Sequence, residues 1–226
     1  MSTLQAHFSD PQSVARYAEV PRRFVPGFAD LHRMTMILLA ERAPDDARVL
    51  VLGAGGGLEL KAFAEGQPSW TFDGVDPADE MLKLAERTLG PLAERARLHQ
   101  GYIDDAPEGP FDAATCLMTF HFLPPEERRR TASEIRRRLK PGAPFVAAHA
   151  SYPQSDRSLW LSRYAAFGIA SGADPSQAHK ARTTIEAHPN LFLGPEQDEA
   201  ILRDAGFSDV SLFYAAFTWR GWVAYA

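Results

Sequence analysis

The feature that most constrains this chain is a glycine-rich segment between an apolar run and a helix. Val49 to Leu52 is short, apolar and rich in β-branched residues, which predicts a buried β-strand. Four glycines follow between Gly53 and Gly57, and the pattern from residue 58 to 65 predicts a helix. Glycine allows a tight turn and a close approach of a ligand to the backbone, because it has no Cβ atom. The next helix offers unpaired N–H groups at its N-terminus. Together these elements indicate a nucleotide-binding opening.

A second predicted strand ends on an acidic residue. It covers Trp70 to Val75, and Asp76 follows at its C-terminal end. An acidic side chain about 20 residues after a glycine-rich turn can accept hydrogen bonds from both hydroxyls of a ribose. The alternative is a close-packed turn with a surface carboxylate that binds nothing. The turn and Asp76 together favour nucleotide binding.

This pair of motifs resembles the class I S-adenosylmethionine (SAM)-dependent methyltransferases. The glycines fit that family's Gly-x-Gly-x-Gly spacing, whereas dinucleotide-binding turns use Gly-x-Gly-x-x-Gly. The resemblance implies an α/β fold with a Rossmann-like seven-stranded sheet whose last strand is antiparallel. It also implies SAM as cofactor and S-adenosylhomocysteine (SAH) as product. Family members usually carry an acidic residue at the position of Val51, so the resemblance implies that one contact to the amino-acid end of SAM is missing here.

The resemblance also assigns cofactor-binding positions. The glycine turn would lie under the methionine part of SAM, and Asp76 would hold the ribose. The segment after the third strand would frame the adenine, and Leu117 ends the fourth strand beside the cofactor. The implied set is Gly53, Ala54, Gly55, Gly57, Asp76, Pro77, Tyr102, Ile103, Asp104 and Leu117.

Composition limits the classes of protein to consider. The chain has 226 residues, which fits a single domain, and a net charge of −5. Such a charge does not favour a nucleic-acid or anionic membrane partner, so the arginines between positions 128 and 138 are interpreted as a solvated helix face. Cys116 is the one cysteine, which excludes an intramolecular disulfide. We see no signal peptide or membrane span and expect a cytoplasmic protein.

The remaining pattern predicts two additions to a methyltransferase domain. Helices from Ser13 to Arg23 and from Phe28 to Arg42 would form an N-terminal cover over residues 1–45. After a fifth strand, residues 151–193 would form a helical lid. The chain would end with strands from Phe207 to Phe217 and from Gly221, joined by a turn at residues 218–220.

Two histidines are candidates for a general base. His121 follows the fourth strand and His149 ends the fifth, and ligands bind at the carboxyl ends of such strands. The unperturbed pKa of histidine suits proton transfer near neutral pH. A structural hydrogen bond is the alternative role for each histidine. No histidine pair has the spacing of a zinc site, so we predict no metal.

Several short segments resemble carboxy-SAM synthase and its methyltransferase relatives. They include residues 23–28, 121–128 and 180–182. This enzyme joins a prephenate-derived carboxylate to SAM for modification of the tRNA wobble uridine. Arg182 falls on its carboxylate-binding arginine. The alternative is that Arg182 pairs with Glu186, one helical turn away. The same resemblance places Phe28, Leu117 and Arg182 at the cofactor. Phe28 and Leu117 replace a tyrosine and an asparagine of the synthase, so two polar ligand contacts are lost.

Three functions follow as alternatives. The favoured one is transfer of a methyl group from SAM to a small-molecule acceptor. Synthesis of carboxy-SAM and a non-catalytic SAM-binding module are the others. The sequence leaves open the acceptor, the methylated atom and whether the chain forms a homodimer.

Overall fold

The computed structural model describes residues 17–226, and the predicted helix start at Ser13 lies outside them. Seven strands form one sheet in the order β3-β2-β1-β4-β5-β7-β6. Strands β1 to β5 are mutually parallel, and β7 runs antiparallel to β5. This is the fold predicted from the sequence. The strands are β1 Arg48–Leu52, β2 Thr71–Asp76, β3 Ala96–Gln100, β4 Ala113–Leu117, β5 Pro144–Ala150, β6 Ser208–Ala216 and β7 Trp219–Tyr225.

The central strands are apolar on both sides because helices cover both faces of the sheet. Every residue of β4 and β5 is buried. One apolar core includes side chains of β1 and of the helices α2, α3 and α6, and a second core lies under α5 and α8. The helices are α1 Glu19–Phe24, α2 Phe28–Ala40, α3 Leu58–Gly66, α4 Asp79–Leu89, α5 Pro125–Arg138, α6 Arg157–Ala170, α7 Pro175–Glu186 and α8 Pro195–Asp204.

The N-terminal helices contact the last two strands of the sheet. Tyr214 donates from its hydroxyl to the carbonyl of Pro26, at 2.6 Å, and so ties the α1–α2 connection to β6. Ile37 of α2 is 55% exposed, although its helical spacing fits an apolar face. The buried face of α2 contains Phe28, Leu31 and Leu39 instead, with two polar residues among them.

The segment between β5 and α8 forms the helical hairpin α6–α7. Only part of it reaches the ends of the strands, where Tyr164 of α6 packs on Phe24 with ring centroids 5.1 Å apart. The final turn differs from the prediction, because Trp219 and Arg220 already belong to β7. Phe217 makes the turn and has a positive φ of 50°. Between residues 17 and 226, none of the helices has both the length and the apolar character needed to cross a membrane.

Candidate active site

A cavity of about 580 Å³ opens at the carboxyl ends of β1, β2 and β4, and α1 and α2 cover it. Its volume is in the range of small-molecule sites. We divide it into two parts. The cofactor half consists of the glycine turn, Glu59, Asp76 and residues 101–104. The acceptor chamber is lined by Phe24, Val25, Phe28, His32, His121, Tyr164 and Trp219.

The glycine turn has no room for side chains at two of its positions. At Gly53 φ is +79°, and a Cβ atom would lie 1.9 Å from Oγ1 of Thr119. At Gly55 φ is +49°, and a Cβ atom would lie 2.4 Å from the Tyr17 hydroxyl oxygen. Both glycines and Ala54 line the cavity, as the resemblance implied. The turn therefore forms a cradle in which a ligand meets backbone.

Gly57 has a different role from the one expected. It does not line the cavity. Its φ is +79°, and a Cβ atom would lie 2.8 Å from the Cα atom of Ala85 in α4. Gly57 is thus needed for the close packing of α3 on α4, because both the backbone angle and the space exclude a side chain.

Asp76 connects the turn to the end of β2. Its carboxylate accepts from the N–H of Gly55 at 2.9 Å and from the N–H of Ala78 at 2.9 Å, one at each oxygen. Burial raises the pKa of Asp76, and these two bonds oppose that effect. A carboxylate has about four acceptor sites, so Asp76 retains capacity for ligand hydroxyls. Asp76 and Pro77 both line the cavity.

The segment after β3 closes one end of the cofactor half. Ile103 is buried and Tyr102 is 46% exposed at the rim. Asp104, expected to receive an amino group, instead pairs with both terminal nitrogens of Arg130, at 2.9 and 3.0 Å. This bidentate pair holds the pKa of Asp104 below its usual range. Asp104 therefore forms a rim ion pair, because α5 brings a guanidinium to it.

Glu59 is a site residue that sequence reasoning missed. It lies in the first turn of α3, is 6% exposed and lines the cavity. The hydroxyl of Thr115 in β4 donates to its carboxylate. Burial raises the pKa of Glu59 to about 8. One signal was available in the sequence, namely an acidic residue between Leu58 and Leu60 on the helix after the glycine turn.

The acceptor chamber is built by aromatic side chains from distant parts of the chain. Trp219 of β7 donates from Nε1 to the carbonyl of Phe24, at 2.9 Å. Phe28 packs edge-on against His32, with ring centroids 4.5 Å apart. Burial lowers the pKa of His32 to about 4, so its imidazole is neutral at pH 7. Phe28 and Leu117, both expected beside the cofactor, line the cavity as well.

His121 lies in the chamber wall. Its ring packs against Trp219 and Phe192, each at a centroid distance of 5.7 Å. Burial holds the pKa of His121 well below its usual range. The backbone N–H of Ala150 donates to Nδ1 at 3.5 Å. A ring nitrogen that accepts carries no proton, so the neutral imidazole carries its proton on Nε2.

His149 does not reach the cavity. Side chains alternate across a strand, and His149 shares the α5 and α8 side of β5 with Phe145 and Ala147. Its Nε2 lies 3.2 Å from a carboxylate oxygen of Asp198, which also pairs with the buried Arg128. The expectation of a catalytic His149 is therefore corrected, since the residue belongs to a buried polar cluster beneath the sheet.

Arg182 also lies away from the cavity. In α7 its Nε donates to Glu186 at 2.8 Å and its Nη1 donates to the hydroxyl of Ser162 at 2.9 Å. These contacts join α7 to α6, which is the structural alternative that the helical spacing offered. Within this chain Arg182 is thus not positioned to bind a carboxylate in the cavity.

The turn after β4 holds a strained residue that the sequence did not mark. Met118 has a φ of 56°, and its N–H donates to the carbonyl of Ala148 at 2.6 Å. Such a backbone is uncommon outside glycine and occurs often at functional sites. It directs Thr119 onto Gly53, so the end of β4 and the glycine turn are packed against each other.

Residues 49–142 match the family described as "Methyltransferase domain". This segment contains the glycine turn, Glu59, Asp76 and His121. The matched segment and the sheet order are those of the class I SAM-dependent methyltransferase fold. These similarities support SAM as the cofactor.

The chain is similar to other proteins over nearly its whole length. A carboxy-S-adenosyl-L-methionine synthase from Chromohalobacter salexigens is 29% identical, over 97% of this chain and 84% of its own length. Among solved structures, an O-methyltransferase family protein from Burkholderia thailandensis superposes with a TM-score of 0.71 at 14% identity. That match covers 98% of this chain, which spans only 62% of the longer protein. A SAM-dependent methyltransferase from Aquifex aeolicus matches with a TM-score of 0.64 at 17% identity, over 96% of this chain and 98% of its own.

Proposed function

We propose that this protein transfers the methyl group of SAM to a small, mainly apolar acceptor. One observation carries the proposal. The cavity runs without interruption from the glycine turn and Asp76 into a chamber lined by aromatic side chains. A cofactor in the first part would present its reactive end to an acceptor in the second.

The residues of the cofactor half fit SAM. The turn excludes side chains at Gly53 and Gly55, which leaves backbone to contact the methionine part. Asp76 has free acceptor capacity for ribose hydroxyls. Tyr102 and Ile103 offer an apolar surface for the adenine. Among the residues that the structure describes, the wall also carries Asp76, Asp104 and Glu127 against Arg130, and this excess of carboxylates suits a cation.

When bound, SAM supplies a methyl group already activated by its sulfonium. The sulfide that leaves needs no proton, so the protein mainly aligns the acceptor and excludes water. Phe24 and Trp219 exclude water, because the hydrogen bond between them closes the chamber on the side of α1. Phe28 and Tyr164 add apolar walls. A flat aromatic acceptor would pack well between such rings.

His121 is suited to orienting the acceptor. Acting as a base through Nδ1 would require it to give up the N–H of Ala150. We therefore assign His121 a donor role from Nε2 toward an oxygen of the acceptor. General-base catalysis by His121, expected from its position after β4, stays a prediction.

The charges favour SAM over carboxy-SAM. An added carboxylate at the reactive end would need a cation in the chamber. Among the described lining residues, Arg130 is the only lysine or arginine, and it is already paired with Asp104 and Glu127. His32 and His121 are neutral because they are buried. Synthesis of carboxy-SAM is thus the second candidate, supported by the similarity to the Chromohalobacter salexigens enzyme.

A nucleic-acid acceptor is not supported by the arginines of α5. Arg129 pairs with Glu126, Arg137 pairs with Glu108, and Arg128 is buried with Asp198. Paired or buried guanidinium groups leave little free charge for phosphates. A small molecule therefore remains the proposed acceptor.

Methyl-labelled SAM tests the proposal. The protein is incubated with it and a panel of small phenols, amines and aromatic acids, and the products are separated by mass spectrometry. A labelled acceptor that depends on Asp76 supports methyl transfer. Label that stays on SAM across the panel would favour a non-catalytic module. Carboxy-SAM recovered from the purified protein would promote the synthase alternative.

A further inference from the structure

We infer that the Glu59 carboxylate binds the α-ammonium group of the cofactor's methionine part. This inference rests on the proposed function, since it specifies how the same site holds SAM. It also changes the expectation from the sequence, because α3 would supply an acidic contact that β1 lacks at Val51.

Glu59 is poised for a cationic ligand. It is 6% exposed, and among residues 17–226 the hydroxyl of Thr115 donates a hydrogen bond to it. No lysine, arginine or histidine within the described chain forms an ion pair with it. A buried carboxylate without a cation is costly unless a ligand provides one. Because Glu59 lines the cavity, a bound ligand could provide that charge.

The topology places Glu59 on the side of the turn that faces β4. Asp76 ends β2 on one side of β1, and Thr115 belongs to β4 on the other side, paired in register with Val51. The segment after β3 lies beyond Asp76. A ligand with its ribose on Asp76 and its adenine beside Tyr102 therefore extends its third part toward β4. That part of SAM carries the only ammonium group of the molecule.

Three titratable neighbours bear on the charge of Glu59. The phenol of Tyr17 and the thiol of Cys116 both feel its charge, and burial raises the pKa of each, so both are neutral at pH 7. Asp76 faces the opposite side of the turn. With its own pKa near 8, Glu59 is mainly protonated at pH 6.5 in the free protein. An ammonium ligand would displace that proton.

The first test measures the affinities of two ligands for the wild type and for Glu59→Gln by isothermal titration calorimetry. SAH contains the amino-acid part, and 5′-methylthioadenosine keeps the adenosine and the sulfur but lacks it. We expect Glu59→Gln to lower the affinity for SAH about tenfold to a hundredfold, because a hydrogen bond between charged groups is lost. The affinity for 5′-methylthioadenosine should change less than about twofold.

The controls separate this inference from the proposed function. Glu65→Gln changes an exposed carboxylate of the same helix and should leave both affinities as in the wild type. Equal binding of SAH by Glu59→Gln and wild type would overturn the inference, while the proposed function would stand. Failure of the wild type to bind either ligand would overturn the proposed function itself.

A second measurement needs no variant, so it applies even if Glu59→Gln folds poorly. The wild type is titrated at pH 6.5 in two buffers of different ionisation enthalpy. We expect SAH to release about one proton more than 5′-methylthioadenosine, because the ammonium is charged at this pH and Glu59 must ionise. Equal proton release by the two ligands would contradict the role of Glu59.

Discussion

The cofactor half and the acceptor chamber share one cavity but are built in different ways. The cofactor half comes from residues 53–104, in three successive strand-to-loop units. The acceptor chamber joins residues as distant as Phe24 and Trp219, which are linked by one hydrogen bond. The cofactor half is polar and acidic, whereas aromatic rings dominate the chamber. The comparison suggests that cofactor binding is fixed by local motifs and acceptor choice by long-range packing.

This difference predicts that mutations in the cofactor half and in the acceptor chamber should have different effects. Changes in the cofactor half should reduce affinity for SAH. Changes in the chamber should reduce turnover or raise KM with SAH affinity preserved.

Asp76→Ala should lower the affinity for SAH, measured by calorimetry, at least about a hundredfold, which is equivalent to about 2.7 kcal/mol. The variant loses acceptors for the ribose and also the bonds that hold Gly55 and Ala78. Asp79→Ala is the matched control, since Asp79 is an exposed carboxylate paired with Lys83. Unchanged SAH affinity in Asp76→Ala would remove Asp76 from the site.

Gly53→Ala should lower the free energy of unfolding by about 2 kcal/mol more than Gly142→Ala. Both glycines have positive φ, which costs any side chain. A Cβ atom at Gly142 meets nothing within 4 Å, whereas one at Gly53 collides with Thr119. Urea denaturation of the two variants isolates the collision. Equal stabilities would mean that Thr119 moves aside at no cost.

His121→Ala should reduce turnover about tenfold, or about 1.4 kcal/mol, with SAH affinity unchanged. A donor to the acceptor would be lost, while the cofactor half would be intact. His179→Ala, an exposed histidine of α7, serves as the control. A loss of a hundredfold or more, with turnover of the wild type falling on the acidic side of its pH profile, would instead support general-base catalysis. Full turnover would exclude both roles.

Trp219→Phe should destabilise the fold by about 1 kcal/mol and raise the KM of the acceptor severalfold. The carbonyl of Phe24 would lose its donor, and the chamber wall would loosen. Trp70→Phe is the control, because Trp70 donates to Pro44 at 3.1 Å outside the chamber. It should give a similar stability loss with normal KM. If both variants raised the KM of the acceptor equally, the claim that the chamber determines acceptor binding would be wrong.

The success of the sequence predictions follows the same division. Glycine spacing, buried strands and an acidic strand end are local properties, so the sheet topology and the cradle at Gly53, Gly55 and Asp76 could be predicted. His149 and Arg182 were expected in the site but lie outside the cavity, although the strand and the helix that contain them were predicted correctly. Their side-chain directions depend on strand parity and on helix pairing, which bring Asp198 and Ser162 beside them.

Glu59 and Trp219 show why parts of the site in both halves were missed. A glutamate in the first turn of a helix is common on surfaces because it favours the helix dipole. Only the packing of α3 over Thr115 turns Glu59 inward. Trp219 was expected in a turn, and only the pairing of β7 with β5 brings it to Phe24. Such contacts depend on tertiary structure that residue patterns do not specify.

A crystal structure of the protein with SAH tests the central claim most directly. The account predicts ribose hydroxyls on the Asp76 carboxylate, adenine beside Tyr102 and Ile103, and the ammonium group on Glu59. The sulfur should face the chamber lined by Phe28, His121 and Trp219. SAH in the reverse orientation, or outside this cavity, would contradict the account.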